Sequence, residues 1–267
     1  MKTRAITGFF FVLVMLASVL LGAYTFSVFF LLLALFSLAE FYRLIDGKNI
    51  QSDKMAGTLL GASVFGIFVL NSLEFISIIY ILFAVPFIAL VYIRELFRKA
   101  ENPFSNIGFT FFGIIYTIIP FLFFFNLGFI EGKYAYTYPL GFLLLLWTND
   151  TGAYLVGVKF GKHKLFERHS PKKTWEGFFG GLMLCIIVGA IISSYFTSLE
   201  MWKWIVVGII IAVFGTLGDL TESMLKRSFH VKDSGSLLPG HGGLLDRFDG
   251  LLVAAPLVYL FIRMTTV

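Results

Sequence analysis

Residues 23–42 read AYTFSVFFLLLALFSLAEFY, and the length and oiliness of this stretch decide the fold class. Wound as a helix, such a run rises about 30 Å, the depth of a bilayer's hydrocarbon core. Comparable runs recur near Ile6 to Leu21, Met55 to Leu70, Phe75 to Ile93 and Ile107 to Ile130. Four more follow near Tyr138 to Val158, Gly177 to Phe196, Trp202 to Leu220 and Phe248 to Met264, the short ones completed by interfacial residues. The expected fold is all-α, a polytopic integral membrane bundle of about nine transmembrane helices.

Composition agrees. The 267 residues are 58% hydrophobic and only 14% charged, where a soluble domain carries about 25% charge. So much apolar surface cannot be hidden in one water-soluble core, and no soluble domain fits in what the spans leave over. There is no internal repeat and no linker, so one continuous membrane domain is expected. Its first part, residues 1–130, reads as five structural, lipid-facing spans almost free of charge. Its second part, 131–267, carries acids at or inside the span ends and reads as catalytic.

In a soluble protein the net charge of +5 would suggest nucleic acid, but here its distribution matters more. With nine spans, the N-terminus and the even-numbered loops share one side and hold every Lys and Arg except Lys133, Lys203 and Arg263. That side is expected to be cytoplasmic, with the N-terminus inside, the C-terminus outside, and no nucleic-acid partner. Lys2 and Arg4 ahead of Gly8 to Leu21 resemble a signal peptide, yet Leu21-Gly22-Ala23 is a poor cleavage site, and a retained first span is expected. Cys185, the one cysteine, lies in an apolar run and reads as an inert packing residue, which excludes disulfide and thiolate-cluster chemistry.

The densest polar segment runs from Gly218 to Asp249 and holds Asp219, Glu222, Asp233, Asp246 and Asp249 among the 16 acids of the chain. If the eighth span stays helical through Lys226, Asp219, Glu222 and Lys226 share a face, and Asp246 and Asp249 lie one turn apart where the ninth span begins. Carboxylates crowded at a membrane edge repel one another unless cations intervene, and hard oxygen ligands suit Mg²⁺. The interleaved Lys226, Arg227, Lys232 and Arg247 are natural partners for phosphate. Glu222 reads equally well as a simple ion-pair partner of Lys226 at i+4.

A second basic cluster, Ser170-Pro171-Lys172-Lys173-Thr174-Trp175-Glu176-Gly177, precedes the seventh span. Ser170 and Pro171 read as N-cap and first helical position, which would set Lys172 and Lys173 at an anion-binding helix N-terminus. The alternative is a basic flank contacting lipid headgroups. Asn149-Asp150-Thr151-Gly152 breaks the apolar pattern of the sixth span, and Asp150 reads as part of a polar cavity wall or as a hydrogen-bonding group within the bundle. His163 and His169 lack metal-ligand spacing and read as solvated.

The run from Ser223 through Lys226-Arg227, Lys232-Asp233, Gly235, Leu238-Pro239 and His241-Gly242-Gly243-Leu244 to Asp246-Arg247-Phe248-Asp249 resembles the signature of the phosphatidate cytidylyltransferases. Ser170 to Thr174 with Glu176-Gly177, and Asp150 with Gly152-Ala153-Tyr154, also resemble segments of that family, while the first 130 residues resemble it only in length and hydrophobicity. The resemblance implies condensation of CTP with phosphatidic acid to CDP-diacylglycerol and pyrophosphate, with a divalent metal. Asp219, Asp246 and Asp249 are then the expected ligands of Mg²⁺, with a second cation a further guess, and the same acids with Lys226 form the catalytic set. Lys172, Lys173, Arg227, Lys232, Arg247, Ser223 and Asp150 are expected on the substrates. Gly242 and Gly243 would let backbone approach phosphate, and His241 would donate a hydrogen bond.

A lipid-bound substrate and a soluble nucleotide must meet at the bilayer edge, so the site is expected to face the cytoplasm at the bacterial inner (plasma) membrane, with membrane lipids as partners. A homodimer is open, since the glycines and aromatics of the spans are too generic to specify its face. An anion transporter, a lipid kinase or another lipid phosphotransferase are the competing readings. Absent repeat symmetry and the one-sided polar residues stand against the transporter.

Overall fold

The computed structural model describes residues 2–47, 50–235 and 242–266. Its elements in chain order are α1 (Lys2–Leu20), α2 (Ala23–Ile45), α3 (Lys54–Ser72), α4 (Ile78–Arg98), α5 (Pro103–Leu127), α6 (Thr137–Phe160), β1 (Lys164–Phe166), β2 (Ser170–Thr174), α7 (Trp175–Ser193), α8 (Met201–Ser228) and α9 (Leu245–Thr266). Each helix falls on one of the apolar runs. Among the described residues seven are long and apolar enough to cross a membrane, namely α2 to α5 and α7 to α9. The protein is a polytopic helical membrane protein. In α1 the apolar part is Thr7–Leu20, and α6 runs unbroken through Asn149-Asp150-Thr151-Gly152.

Prolines explain the irregular turns. The first turns of α4, Ile78–Ala84, are 3₁₀ and tighten ahead of Pro86, with Ser77 Oγ accepting from Ile79 N. In α5 the turn Ile114–Ile118 widens to a π turn, because the Pro120 ring clashes with the carbonyl four residues back and donates no hydrogen bond to it.

The chain divides into two compact units, one of Met1–Lys133 with Asp233–Asp246 and the other of Tyr134–Lys232 with Arg247–Val267. In the first unit α2 buries Phe26, Phe30, Phe41 and Tyr42. Phe26 stacks on Phe125 with ring centroids 5.7 Å apart, and Phe30 meets Phe124 at 4.8 Å. Tyr42 donates from its hydroxyl to Thr110 O at 2.7 Å, and its ring occupies the space that a Cβ at Gly57 or Gly113 would need. The second unit packs backbone against backbone: a Cβ on Gly177 would come within 2.7 Å of Ala153 O, and one on Gly208 within 2.8 Å of Cys185 O. Close approach through small residues is how helices associate where lipid removes the hydrophobic drive. Cys185 is buried and directs Sγ at Leu145 O, 3.4 Å away, as a packing residue would.

Two local expectations are corrected. Ser170 and Pro171 do not begin a helix; they lie in β2, which pairs antiparallel with β1 through Lys164↔Thr174 and Phe166↔Ser170. Proline is compatible with a strand whose N–H faces no partner, and the true N-cap of α7 is Thr174, whose Oγ1 accepts from Gly177 N at 3.2 Å. Among the described residues the hairpin is the one two-stranded sheet in a helical fold. His169 is not simply solvated either, because its ring is half-buried and stacks on Phe166 at 5.4 Å.

Candidate active site

The β1–β2 hairpin, α6, α7 and α8 enclose a cavity of about 550 Å³ within the second unit. Asp150 of α6 and Asp219 of α8 line it together with Lys172 and Lys173 of β2. Asp219 Oδ2 takes the Lys173 ammonium at 2.6 Å, and Asp219 Oδ1 accepts from Ser223 Oγ one turn on at 3.3 Å. Strand geometry explains how both lysines contribute: β2 is only half-buried, so long side chains on either face reach the cavity mouth. Lys164 on β1 and Thr216 on α8 also line the cavity. Neither residue was singled out from the sequence, where Lys164 looks like one basic loop residue among several.

The hairpin's base is pinned by Glu176 in the first turn of α7. Its carboxylate accepts from Lys162 N at 3.1 Å and from His163 N at 3.2 Å, and pairs with His163 Nδ1 at 2.6 Å. Thr174 then caps the helix from the strand's last position, a cap worth about 1 kcal/mol. These contacts fix the hairpin on the first turn of α7, and Lys173 reaches α8 through its ion pair with Asp219.

The signature run is split between the units. In the second unit Lys226 pairs with Glu222 at 2.5 Å, and Glu222 is 0% exposed. Of the two roles open to Glu222, the ion pair is the one seen. Arg227 is exposed and donates to Val231 O at 3.2 Å, and Lys232 and Arg247 are exposed. Asp249, in the first turns of α9, accepts from Gly250 N at 2.7 Å and lies within electrostatic range of Asp219, Asp150 and Lys173. A Cβ on Gly218 would sit 3.1 Å from Gly250 Cα, so the absence of side chains there is what brings α8 and α9 together beside these acids.

In the first unit Asp246 Oδ2 accepts from Ser234 N at 3.0 Å and Gly243 N at 2.8 Å. Glu40, deep in α2 and 7% exposed, receives Ser234 Oγ, Leu244 N at 2.9 Å and Leu245 N at 3.0 Å. The carboxylate of the second helix thus holds both ends of the segment that leads into α9. Gly242 has φ +81°, which favours glycine, and the space beside Gly243 is filled by Glu40 and Ser234. The close approach seen at Gly243 is to this carboxylate. His241 lies outside the described residues. Sequence reading missed Glu40, although one carboxylate inside an otherwise apolar span was its available signal.

The donor set fits a hard cation. Asp219 Oδ2 already presents itself to a positive charge, the Lys173 ammonium, with Asp150 on the same cavity wall. Among the described residues no three His, Cys, Asp or Glu side chains gather into a complete ligand set. An ion here would therefore complete its shell with water and phosphate oxygens, as Mg²⁺ commonly does.

A family model described as the cytidylyltransferase family matches residues 2–265. The phosphatidate cytidylyltransferase of Staphylococcus epidermidis is 38% identical over 271 residues, spanning 99% of this chain and 100% of the relative. Those of Staphylococcus haemolyticus and Staphylococcus aureus are each 37% identical, over 263 and 266 residues, with 97% of both chains covered. A match of this extent, over a chain whose carboxylates and lysines share one cavity, has one consequence: the chain belongs to the cytidylyltransferase family.

Proposed function

We propose that this protein condenses CTP with phosphatidic acid to give CDP-diacylglycerol and pyrophosphate. The observation that carries the reading is the cavity in which Asp150 and Asp219 meet Lys172 and Lys173. It is supported by relatives named phosphatidate cytidylyltransferase that match the chain over almost its whole length. We place the site at the cytoplasmic edge of the bacterial inner membrane, with nine crossings and the N-terminus inside, on the distribution of Lys and Arg. The lipid substrate then stays in the bilayer while its phosphate meets CTP from the cytosol.

In this reading a phosphatidate oxygen attacks the α-phosphorus of CTP in line. The new bond is O–Pα, the bond broken is that between Pα and the oxygen bridging to Pβ, and pyrophosphate leaves. A phosphomonoester has its second pKa near about 6, so the nucleophile is already mostly dianionic at neutral pH and needs no general base. What remains is to hold several anions together and to stabilise the charge that moves onto the leaving group.

Lys172 and Lys173 supply ammonium groups for the triphosphate, with Lys173 exchanging between Asp219 and phosphate. Arg227, Lys232, Arg247 and Lys226 are the remaining proposed phosphate partners, together with Ser223 and the Gly242-Gly243 backbone. Asp219, Asp246 and Asp249 are the residues we propose to hold Mg²⁺, which would screen repulsion between the reacting phosphates when bound. Glu40 positions the segment from which Asp246 and Asp249 project, and Glu176 positions the hairpin.

The test is to incubate purified protein in detergent with phosphatidate, Mg²⁺ and each of the four nucleoside triphosphates in turn, measuring pyrophosphate. Release with CTP is expected. Release with ATP and not CTP would overturn the reading, and the absence of any reaction without compartments would favour a transporter.

A further inference from the structure

The first unit contains a second cavity, of about 670 Å³, between Asp46 with residues 52–55 and the last turns of α4. None of the residues around it lines the cavity of the second unit. We propose that it binds the phosphate headgroup of an anionic glycerophospholipid.

The polar wall is built for a tetrahedral anion. Arg94 and Arg98 lie one turn apart on the same face of α4, and each guanidinium is anchored by one nitrogen. Arg94 Nε donates to Asp53 Oδ2 at 2.6 Å, and Arg98 NH1 donates to Gln51 O at 2.6 Å. Arginine presents five donors in a rigid fork, so a guanidinium oriented through one nitrogen offers the others in a fixed direction. The two side chains are 44% and 35% exposed, and both line the cavity. Glu95, outside the lining, stands 3.5 Å from Arg98 NH1, and Lys54 at the rim pairs with Asp46 at 2.7 Å. The lining itself carries three cations against the two carboxylates of Asp46 and Asp53.

The independent sign of a ligand is Ser52. Its residue is 3% exposed and lines the cavity, yet its Oγ is buried without a hydrogen-bond partner. Buried hydroxyls are almost always paired, and an unpaired one on a residue that shares this wall with Arg94 and Arg98 is a donor without an acceptor, which a turn of its side chain toward the cavity would supply. A phosphate oxygen is such an acceptor. The rest of the wall says that the phosphate is attached to something oily: Met55, Ile93 and Phe97 are exposed large apolar side chains beside the arginines, Phe97 by 77%. Inorganic phosphate would leave them uncovered, whereas a glycerophospholipid lays its acyl chains there. Basic pockets between membrane helices commonly hold anionic headgroups in this way.

The experiment uses the full-length protein in a mild detergent, titrated with dioctanoyl phosphatidylglycerol, dioctanoyl phosphatidylcholine or inorganic phosphate, with bound molecules counted by native mass spectrometry. Phosphatidylglycerol carries no phosphomonoester and so is no substrate of the proposed reaction, which keeps this readout independent of turnover. The wild type is expected to bind phosphatidylglycerol at least about tenfold more tightly than phosphatidylcholine, and not to bind inorganic phosphate at matched concentration.

Ser52→Ala removes a hydroxyl with no partner inside the protein, so folding is preserved. It is expected to weaken phosphatidylglycerol binding about tenfold, the scale of one hydrogen bond to a charged group. Arg98→Gln is expected to weaken it by at least as much. Affinity within about twofold of wild type in Ser52→Ala would overturn the proposal, whatever the behaviour of Arg98→Gln. Equal binding of phosphatidylcholine would overturn the anionic headgroup, and displacement of the lipid by equimolar inorganic phosphate would reassign the cavity to the free anion.

Discussion

Replacing Glu40 by glutamine changes one carboxylate oxygen into an amide and almost nothing in size. Oε1 accepts from Ser234 Oγ and Leu245 N, and Oε2 accepts from Leu244 N. A glutamine that keeps its carbonyl on the Oε1 side turns an NH₂ group toward Leu244 N–H, donor against donor. One charge-assisted hydrogen bond is lost and the other two lose their charge, at a cost of about 2 kcal/mol when a single bond to a charged group is worth roughly 1.5–3 kcal/mol.

Asp246 holds the same segment through Ser234 N and Gly243 N, so Glu40→Gln displaces the segment without releasing it. Two kcal/mol corresponds to about a thirtyfold change in population, and a kcat/KM lowered about ten- to thirtyfold is expected. Glu40→Ala leaves all three donors unpaired in a buried site and is expected to lower kcat/KM by more than about a hundredfold, with a lower melting temperature. Both are read as pyrophosphate release per folded molecule, with folding followed by thermal melting. Folded variants that turn over within twofold of wild type would refute the claim that Glu40 sets the position of this segment.

Three further outcomes follow from the second unit. Asp219→Asn removes the charge that holds Lys173 and is expected to lower turnover at least about a hundredfold, with added Mg²⁺ failing to restore it; full Mg²⁺-dependent activity would remove Asp219 from the site. Gly218→Ala forces a methyl onto the Asp249 carbonyl and Gly250 Cα, both backbone atoms that cannot swing aside. A fall in kcat of about tenfold or more is expected as Asp219 and Asp249 part, together with about 1–3 kcal/mol of lost stability, measured by turnover and by thermal melting. Cys185→Ala is expected to keep kcat within about twofold, and thiol reagents are expected to leave the folded wild type uninhibited, because the sulfur is buried and directed at Leu145 O.

The helices were legible because bilayer thickness sets a length that apolar runs must meet, and each run from Ile6 to Met264 contains or abuts a helix. Asp150, Asp219, Lys172 and Lys173 line one cavity; the residue pattern alone left Asp150 and the two lysines with other roles open, and it was the family resemblance that implied a shared site. Local pattern failed where two structures use the same residue type. Pro171 suits the first turn of a helix and an edge strand equally well, and the cap at Thr174 decided between them. Glu40 failed for a different reason. Its partner Ser234 is 194 residues away, and no periodicity within α2 encodes a contact with a loop near the other end of the chain. The lone carboxylate was visible, but only tertiary structure says what it holds.

The central claim is that a phosphatidate oxygen attacks the α-phosphorus of CTP, and label transfer tests it directly. Purified protein is given phosphatidate and CTP radiolabelled either at the α-phosphate or at the γ-phosphate, and the lipid is extracted and counted. Label from the α position is expected in the lipid in equal amount to the pyrophosphate released, with none from the γ position. Lipid labelled from the γ-phosphate, or unlabelled by either, would contradict the account.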